Sequence, residues 1–491
     1  MKIEHIGNAT LYLGDCRELL PTIGGSVQVS EQKPIFIDAF AGCGGLSLGL
    51  LKAGWRGLFA IEKDTFAFDT LRTNLTGRAP KCAFDWPDWL LVQPWAIENL
   101  MEQHAVQLSR LRGHVDLLAG GPPCQGFSSA GRRRTGDPRN ALFERYLDFV
   151  ELVKPRLVLI ENVPGITYDF GGDADLAGKR NFADELAARL GTMYHVYADT
   201  IRCSSFGIPQ HRPRFFLVGM LKSEFKRLPR GEDPFVWLRA SKVRFLEKRS
   251  LSATVTSRQA IADLEKAMAG VGPSPDTKGY EAILAPRPRS NFQRFMNDGH
   301  EGPVTDTRLA NHTPRIVERF EKIIAECKAS GRLNVQLNRE MRERYGIKKM
   351  ATRVLDPEAP SPTITSMPDD LLHYNEPRTL TVRENARLQT FPDWFVFKGK
   401  YTTGGELRAR QVPRFTQVAN AVPPLIAEMW GEVLIKYAVT RTRSDQTAEL
   451  IAAQPRYFDI ACRRIENAYK QADLFVDAPP AEDPVEAKEG T

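Results

Sequence analysis

One cysteine in this chain stands where a nucleophile would be held. Residues 120–128 read Gly-Gly-Pro-Pro-Cys-Gln-Gly-Phe-Ser and follow directly on an apolar run at 115–119. Two consecutive prolines fix φ and remove two N–H donors, so the chain turns there and lifts Cys124 onto the turn. A thiolate attacks electron-poor carbon, and ligands of open α/β sheets collect at the carboxyl ends of the strands. A buried structural cysteine is the bland reading of the same residue. The design recurs at 157–163, where the run Leu-Val-Leu-Ile ends in Glu161, Asn162 and Val163. An acid at one strand end and a cysteine at another would share a rim. Arg212 and Arg214, two residues apart just before the strand expected at 215–219, face the same way on an extended segment.

A second group of residues points to a nucleotide. The apolar run at 34–40 reads as a buried parallel strand, and Ala41-Gly42-Cys43-Gly44-Gly45 turns it into a helix expected at 46–51. Glycines let backbone approach a ligand, and a helix N-terminus offers free N–H groups. The strand at 58–61 ends in Glu62, where a carboxylate can take both ribose hydroxyls of an adenosine. The glycine spacing departs from the dinucleotide pattern, so a user of a single adenosine is predicted over a hydride-transfer enzyme. Trp86, Trp89 and Trp95 are expected to cover the sheet, with Ile97 and Glu98 bordering the adenine.

These residues need a large α/β scaffold to position them. At 491 residues, 26% charged and 42% hydrophobic, the chain has room for two or three domains. No apolar run is long enough for a bilayer and the start lacks a signal-peptide profile, so a soluble, intracellular protein is expected. Seven scattered cysteines without a C-x-x-C pair argue for neither a disulfide framework nor a metal centre. A net charge of +7 permits a polyanionic partner without requiring one. Composition divides the chain into an extension at 1–33, a catalytic and cofactor-binding domain at 34–220, a basic, irregular domain at 221–372, a return segment at 373–439 that completes the first domain, and a C-terminal extension at 440–491 with an acidic tail expected to be disordered. The loop at 128–139, carrying Arg132, Arg133 and Arg134, reads as a mobile, phosphate-contacting lid.

Taken in order, these segments resemble the motifs of the C5-cytosine DNA methyltransferase family. Phe40 to Gly45 is similar to its S-adenosylmethionine turn, Gly121 to Gln125 to its nucleophile loop, Glu161-Asn162-Val163 to its acid, and Gln210 to Arg214 to its arginine pair. Residues 378–392 resemble the segment that orients the target domain, and 417–424 the one that completes the cofactor pocket. Two departures stand out: Ala419 replaces a usual glycine, expected to crowd its turn, and no Asp accompanies Ile97. Residues 9–21 resemble the opening of amino-group DNA methyltransferases, but the tetrapeptide those enzymes need is missing, so an appended strand and helix, or a relic, is expected.

The resemblance implies a Rossmann-like α/β methyltransferase domain with a smaller target-recognition domain. It implies S-adenosylmethionine as cofactor, held by Phe40, Ala41, Gly42, Gly44, Gly45, Glu62, Pro123, Leu142, Asn420 and Val422. Cys124 would add to C6 of a flipped-out cytosine, Glu161 would serve N3, and Arg212 and Arg214 would hold O2 and the adjacent backbone. Double-stranded DNA is the implied partner of a monomer, with a cognate restriction endonuclease acting beside it and not in a stable complex. The alternatives are a tRNA cytosine methyltransferase and a catalytically silent DNA-binding regulator, which intact Cys124, Glu161, Arg212 and Arg214 disfavour.

Overall fold

The computed structural model describes residues 2–6, 9–13, 33–77, 82–123, 140–168, 181–225, 233–403 and 411–438. Cys124, the arginine triplet at 132–134 and the acidic tail lie outside the described residues. So does the helix expected at the end of the 1–33 extension, whose strands Lys2–Ile6 and Ala9–Leu13 pair as a hairpin.

A six-stranded sheet organises the first domain. Its strands are β1 (Ile35–Ala39), β2 (Arg56–Ile61), β3 (Leu117–Gly120), β4 (Leu157–Asn162), β5 (Tyr194–Arg202) and β6 (Pro213–Leu221). They lie in the order β2-β1-β3-β4-β6-β5; β1 to β4 run parallel, while β6 is antiparallel to both neighbours. The apolar runs are continuous because both faces are covered. Side chains alternate between two cores: Leu117, Ala119, Leu157 and Leu159 enter one, Leu118, Val158 and Ile160 the other.

Among the helices are α1 (Gly45–Lys52), α2 (Thr65–Leu75), α3 (Ile97–Gln103), α4 (Asn140–Val153), α5 (Phe182–Leu190), α6 (Pro234–Glu247), α7 (Pro314–Ala329), α8 (Val382–Leu388), α9 (Arg414–Asn420) and α10 (Pro424–Ala438). α3, α4 and α5 cover one face of the sheet, α1 and α10 the other. α1 and α10 approach through glycine: a Cβ on Gly49 would lie 2.4 Å from that of Ala427. From β1 the chain passes outward to β2 and then returns to β3 on the opposite side. That reversal opens a crevice at the carboxyl ends of β1 and β3.

The basic segment, termed the second unit, is built from short pieces; Ile261, Leu264, Ile283, Phe292 and Leu309 join the core that also covers the sheet. Phe320, Ile323, Ile324 and Cys327 of α7 form a small core with Leu337, Met341, Val354 and Leu372. Ser361–Pro362 pairs in parallel with Gln210–His211, tying this unit to the first. α6 lies within 221–372 but packs on α10, with Phe235 and Trp430 ring centroids 5.0 Å apart. The composition change therefore precedes the change of unit. The chain re-enters at α8, whose capping box joins Thr381 and Glu384.

Candidate active site

At the end of β1 the backbone must swing sharply, and Phe40, Gly42 and Gly44 take φ of 61°, 57° and 93°. Gly44 caps α1 without a side-chain acceptor, and the Ser47 N–H of the first turn serves Asp38. Gly45 is required for another reason: a Cβ there would meet the Val422 carbonyl oxygen at 2.4 Å. After β2, Glu62 is held by two backbone donors, Gly42 N–H to Oε2 at 3.0 Å and Asp64 N–H to Oε1 at 2.7 Å. Each oxygen keeps a lone pair for a ligand hydroxyl. Burial pushes the Glu62 carboxyl above its usual range.

The crevice holds a cavity of about 430 Å³. Phe40, Ala41, Gly42, Glu62, Pro123, Leu142, Asn420 and Val422 line it, as do Glu161, Arg212 and Arg214. Gly44 and Gly45 stand behind this lining and shape its backbone. Trp95, Ile97 and Glu98 close one end, and the Trp95 N–H donates to the Glu62 carbonyl at 2.8 Å.

The neighbouring parallel strands β3 and β4 put Gly121 beside Glu161. A Cβ on Gly121 would lie 3.4 Å from Glu161 Oε2, and Asn162 Nδ2 donates to the Pro122 carbonyl at 3.1 Å. The segment leading to Cys124 is thereby fixed to the strand end that carries the acid. Arg214 Nε lies 2.8 Å from Glu161 Oε1, with both side chains about nine-tenths buried.

Arg212 lines the cavity and also binds backbone. Its Nη2 donates to the carbonyls of Ala419 and Ala421 at 2.8 and 3.1 Å, so the guanidinium ties the return segment to the sheet. Burial, with the cation of Arg214 adding to it, pulls Arg212 down to about 9. Ala419 does not crowd a turn. It lies within α9 at an ordinary negative φ, where a methyl group is accommodated.

Several contributors escaped the sequence reading. Asp38, fully buried in β1, lines the cavity; Ser47 Oγ donates to its Oδ2 while Oδ1 has no hydrogen-bond partner. Burial raises its carboxyl to about 7. Its signal was a lone acid inside an apolar strand. Gln210 and Gln389 brace the far wall: Gln210 Nε2 donates to Gln389 Oε1 at 2.6 Å, and Gln389 Nε2 donates to the Val418 and Ala421 carbonyls. Cys43 also lines the cavity, its thiol pushed up by burial.

The profile of the family described as C-5 cytosine-specific DNA methylase matches residues 35–436. The chain belongs to that family. This C5-cytosine DNA methylase is similar to the type II methyltransferase M.DdeI of Desulfomicrobium norvegicum, 31% identical over 410 residues that cover 82% of this chain and 88% of that one. It is also similar to M.AgeI of Thalassovita gelatinovora, 28% identical over 465 residues covering 82% and 99%. Its fold resembles a chain described as a DNA modification methyltransferase encoded within an E. coli prophage, at TM-score 0.53 and 23% identity, covering 82% and 99%. Methylases of this family take their methyl group from S-adenosylmethionine. Among the described residues of the methylase, no helix is long and apolar enough to cross a membrane.

Proposed function

We propose that the methylase modifies C5 of a flipped-out cytosine at a specific site in double-stranded DNA through a covalent bond between Cys124 and C6. The observation that carries this reading is the Arg214–Glu161 pair on the wall of the same cavity as the Phe40–Gly42 turn, one strand from the segment leading to Cys124.

The cavity residues fit the cofactor. Glu62 retains acceptor capacity for ribose hydroxyls, the orphan Oδ1 of Asp38 awaits a donor, and the Gly45 backbone closes against Val422. Phe40, Ala41, Gly42, Glu62, Pro123, Leu142, Asn420 and Val422 would hold it, with Gly44 and Gly45 shaping the turn. When bound, S-adenosylmethionine supplies a sulfonium methyl group that C5 can take once C6 is substituted. Cys124, as thiolate, adds to C6 and drives electron density toward N3. Glu161 holds a proton at N3 during this step, and Arg214 orients Glu161. Loss of the C5 proton to a base then allows the bond from C6 to Cys124 to break, releasing the thiolate. A stacked base cannot reach these groups, so the cytosine leaves the helix.

The relatives' names favour DNA over the tRNA alternative and support a role of restriction-modification type; within that proposal the protein works in the cytoplasm on nucleoid DNA, as a monomer, with a cognate endonuclease acting beside it. DNA carrying 5-fluorocytosine at the target tests the chemistry. Fluorine cannot depart as a cation, so with S-adenosylmethionine present a complex should survive denaturing electrophoresis. Cys124→Ser should give none, and Cys43→Ser should retain it. A bond mapped to another residue, or no cofactor-dependent adduct on a site that is methylated when unfluorinated, would remove Cys124 from the mechanism.

A further inference from the structure

The wall formed by α9 is gripped from the second unit by one arginine. Arg414 opens α9; its Nη1 donates to Asp276 Oδ2 at 2.7 Å and Asp306 Oδ1 at 2.9 Å, and its Nε donates to the Gly399 carbonyl at 3.0 Å. Its guanidinium lies 4.2 Å from the Tyr401 ring centroid, and that of Arg308 lies 3.6 Å from the same ring. Asp306 is buried and also accepts from Arg383 and from the Phe397 N–H. Asp276 belongs to the loop between the paired strands Val271–Pro273 and Glu281–Ile283 of the second unit, where the hydroxyls of Ser274, Thr277 and Tyr401 also donate to it. A cation in a helix's first turn opposes the helix dipole, so the stability of α9 does not explain this residue. What α9 carries does: Asn420 and then Val422 line the cavity, while the Ala419 and Ala421 carbonyls hold Arg212.

We propose that Arg414 is a positioning residue through which the second unit sets the α9 wall of the cofactor cavity. The inference rests on the cofactor reading above and adds to it the residue that transmits the seating of the second unit. A displacement of the Asp276 loop moves the Arg414 end of α9, and one helix of seven residues carries that shift to Asn420.

The test is the affinity of the full chain for S-adenosylhomocysteine by isothermal titration calorimetry, with thermal melting in parallel. Asp276→Asn removes one carboxylate and leaves Arg414 its Asp306 partner. Arg414→Lys keeps the charge and loses the planar fork, and Arg414→Gln removes the charge. Arg414→Gln should weaken binding about fivefold or more, the other two less. The double variant of Asp276→Asn with Arg414→Gln should bind as Arg414→Gln does, since both substitutions break one contact. In turnover, KM for S-adenosylmethionine should rise while kcat holds. Affinity within about twofold of the parent for both Asp276→Asn and Arg414→Lys, whatever the melting temperature does, overturns the proposal. Those two variants decide the matter if Arg414→Gln does not fold. A parent chain that binds no S-adenosylhomocysteine overturns the cofactor reading itself.

Discussion

Asp38 carries the sharpest consequence among single residues. Its carboxyl sits at about 7 against an ordinary 3.8 because burial disfavours the charge, so the folded chain keeps a proton that the unfolded chain releases. Its contribution to stability is full below pH 3.8, declines as pH rises toward 7 and is lost above that. Between about pH 5 and pH 8 this amounts to a loss on the order of 2–3 kcal/mol. Asp38→Asn cannot ionise, so its denaturant unfolding free energy should fall less steeply over that interval than the parent's. Parallel curves for the two proteins would mean that Asp38 is ionised in the fold. Glu161 and Arg214 were legible in the sequence because they stand at the ends of apolar runs, inside short motifs. Asp38 left a signal too, a lone acid inside an apolar strand, but no reading of its role, since that arises from Ser47 and the packing of α1 around it. The brace between Gln210 and Gln389, 179 residues apart, was not legible, because nothing local to either residue announces the other.

Among the elements, the strands were the most readable, since a parallel strand covered on both faces needs an unbroken apolar run. β1, β2, β4 and the core of β6 fall where those runs are. The interior of the second unit was not readable. Its strands are two or three residues long, too short for a period, and much of its order comes from buried ions. Arg387 of α8 pairs with Asp393 through Nε and Nη2, at 2.9 and 2.8 Å, and with Asp263 of the second unit through Nη1. All three side chains are excluded from solvent. Arg387→Ala strands two buried carboxylates and should cost about 3–5 kcal/mol of unfolding free energy. A triple replacement with apolar residues of matching size should recover much of that. If Arg387→Ala unfolds within about 1 kcal/mol of the parent, water reaches the carboxylates and the network contributes little.

For the whole molecule, the division of labour between units gives the broadest prediction. On the proposed reading, chemistry lies on the sheet rim and return segment, and the choice of DNA sequence belongs to the basic segment within 221–372. Because α6 packs on α10, an exchange that begins after this helix, at 257–372, leaves that contact in place. The donor segment must keep the apolar positions of Ile261, Leu264, Phe292 and Leu309, which share the first domain's core, and the carboxylates of Asp263, Asp276 and Asp306. The chimera with a related methylase should modify the donor's site, read by bisulfite sequencing; a folded, active chimera that keeps the host's site would refute the assignment. The packing of α1 on α10 bears on how this protein is made. Trp55 Nε1 donates to the Gly431 carbonyl across 376 residues of sequence. At ordinary elongation rates the ribosome needs roughly 20–75 s to deliver the second partner. Throughout that interval the apolar side of α1, with Leu46, Leu48 and Leu50, has no α10 to cover it, so the nascent chain is a natural client for chaperones that bind exposed hydrophobic surface. The domain that emerges first from the ribosome is the one that finishes folding last.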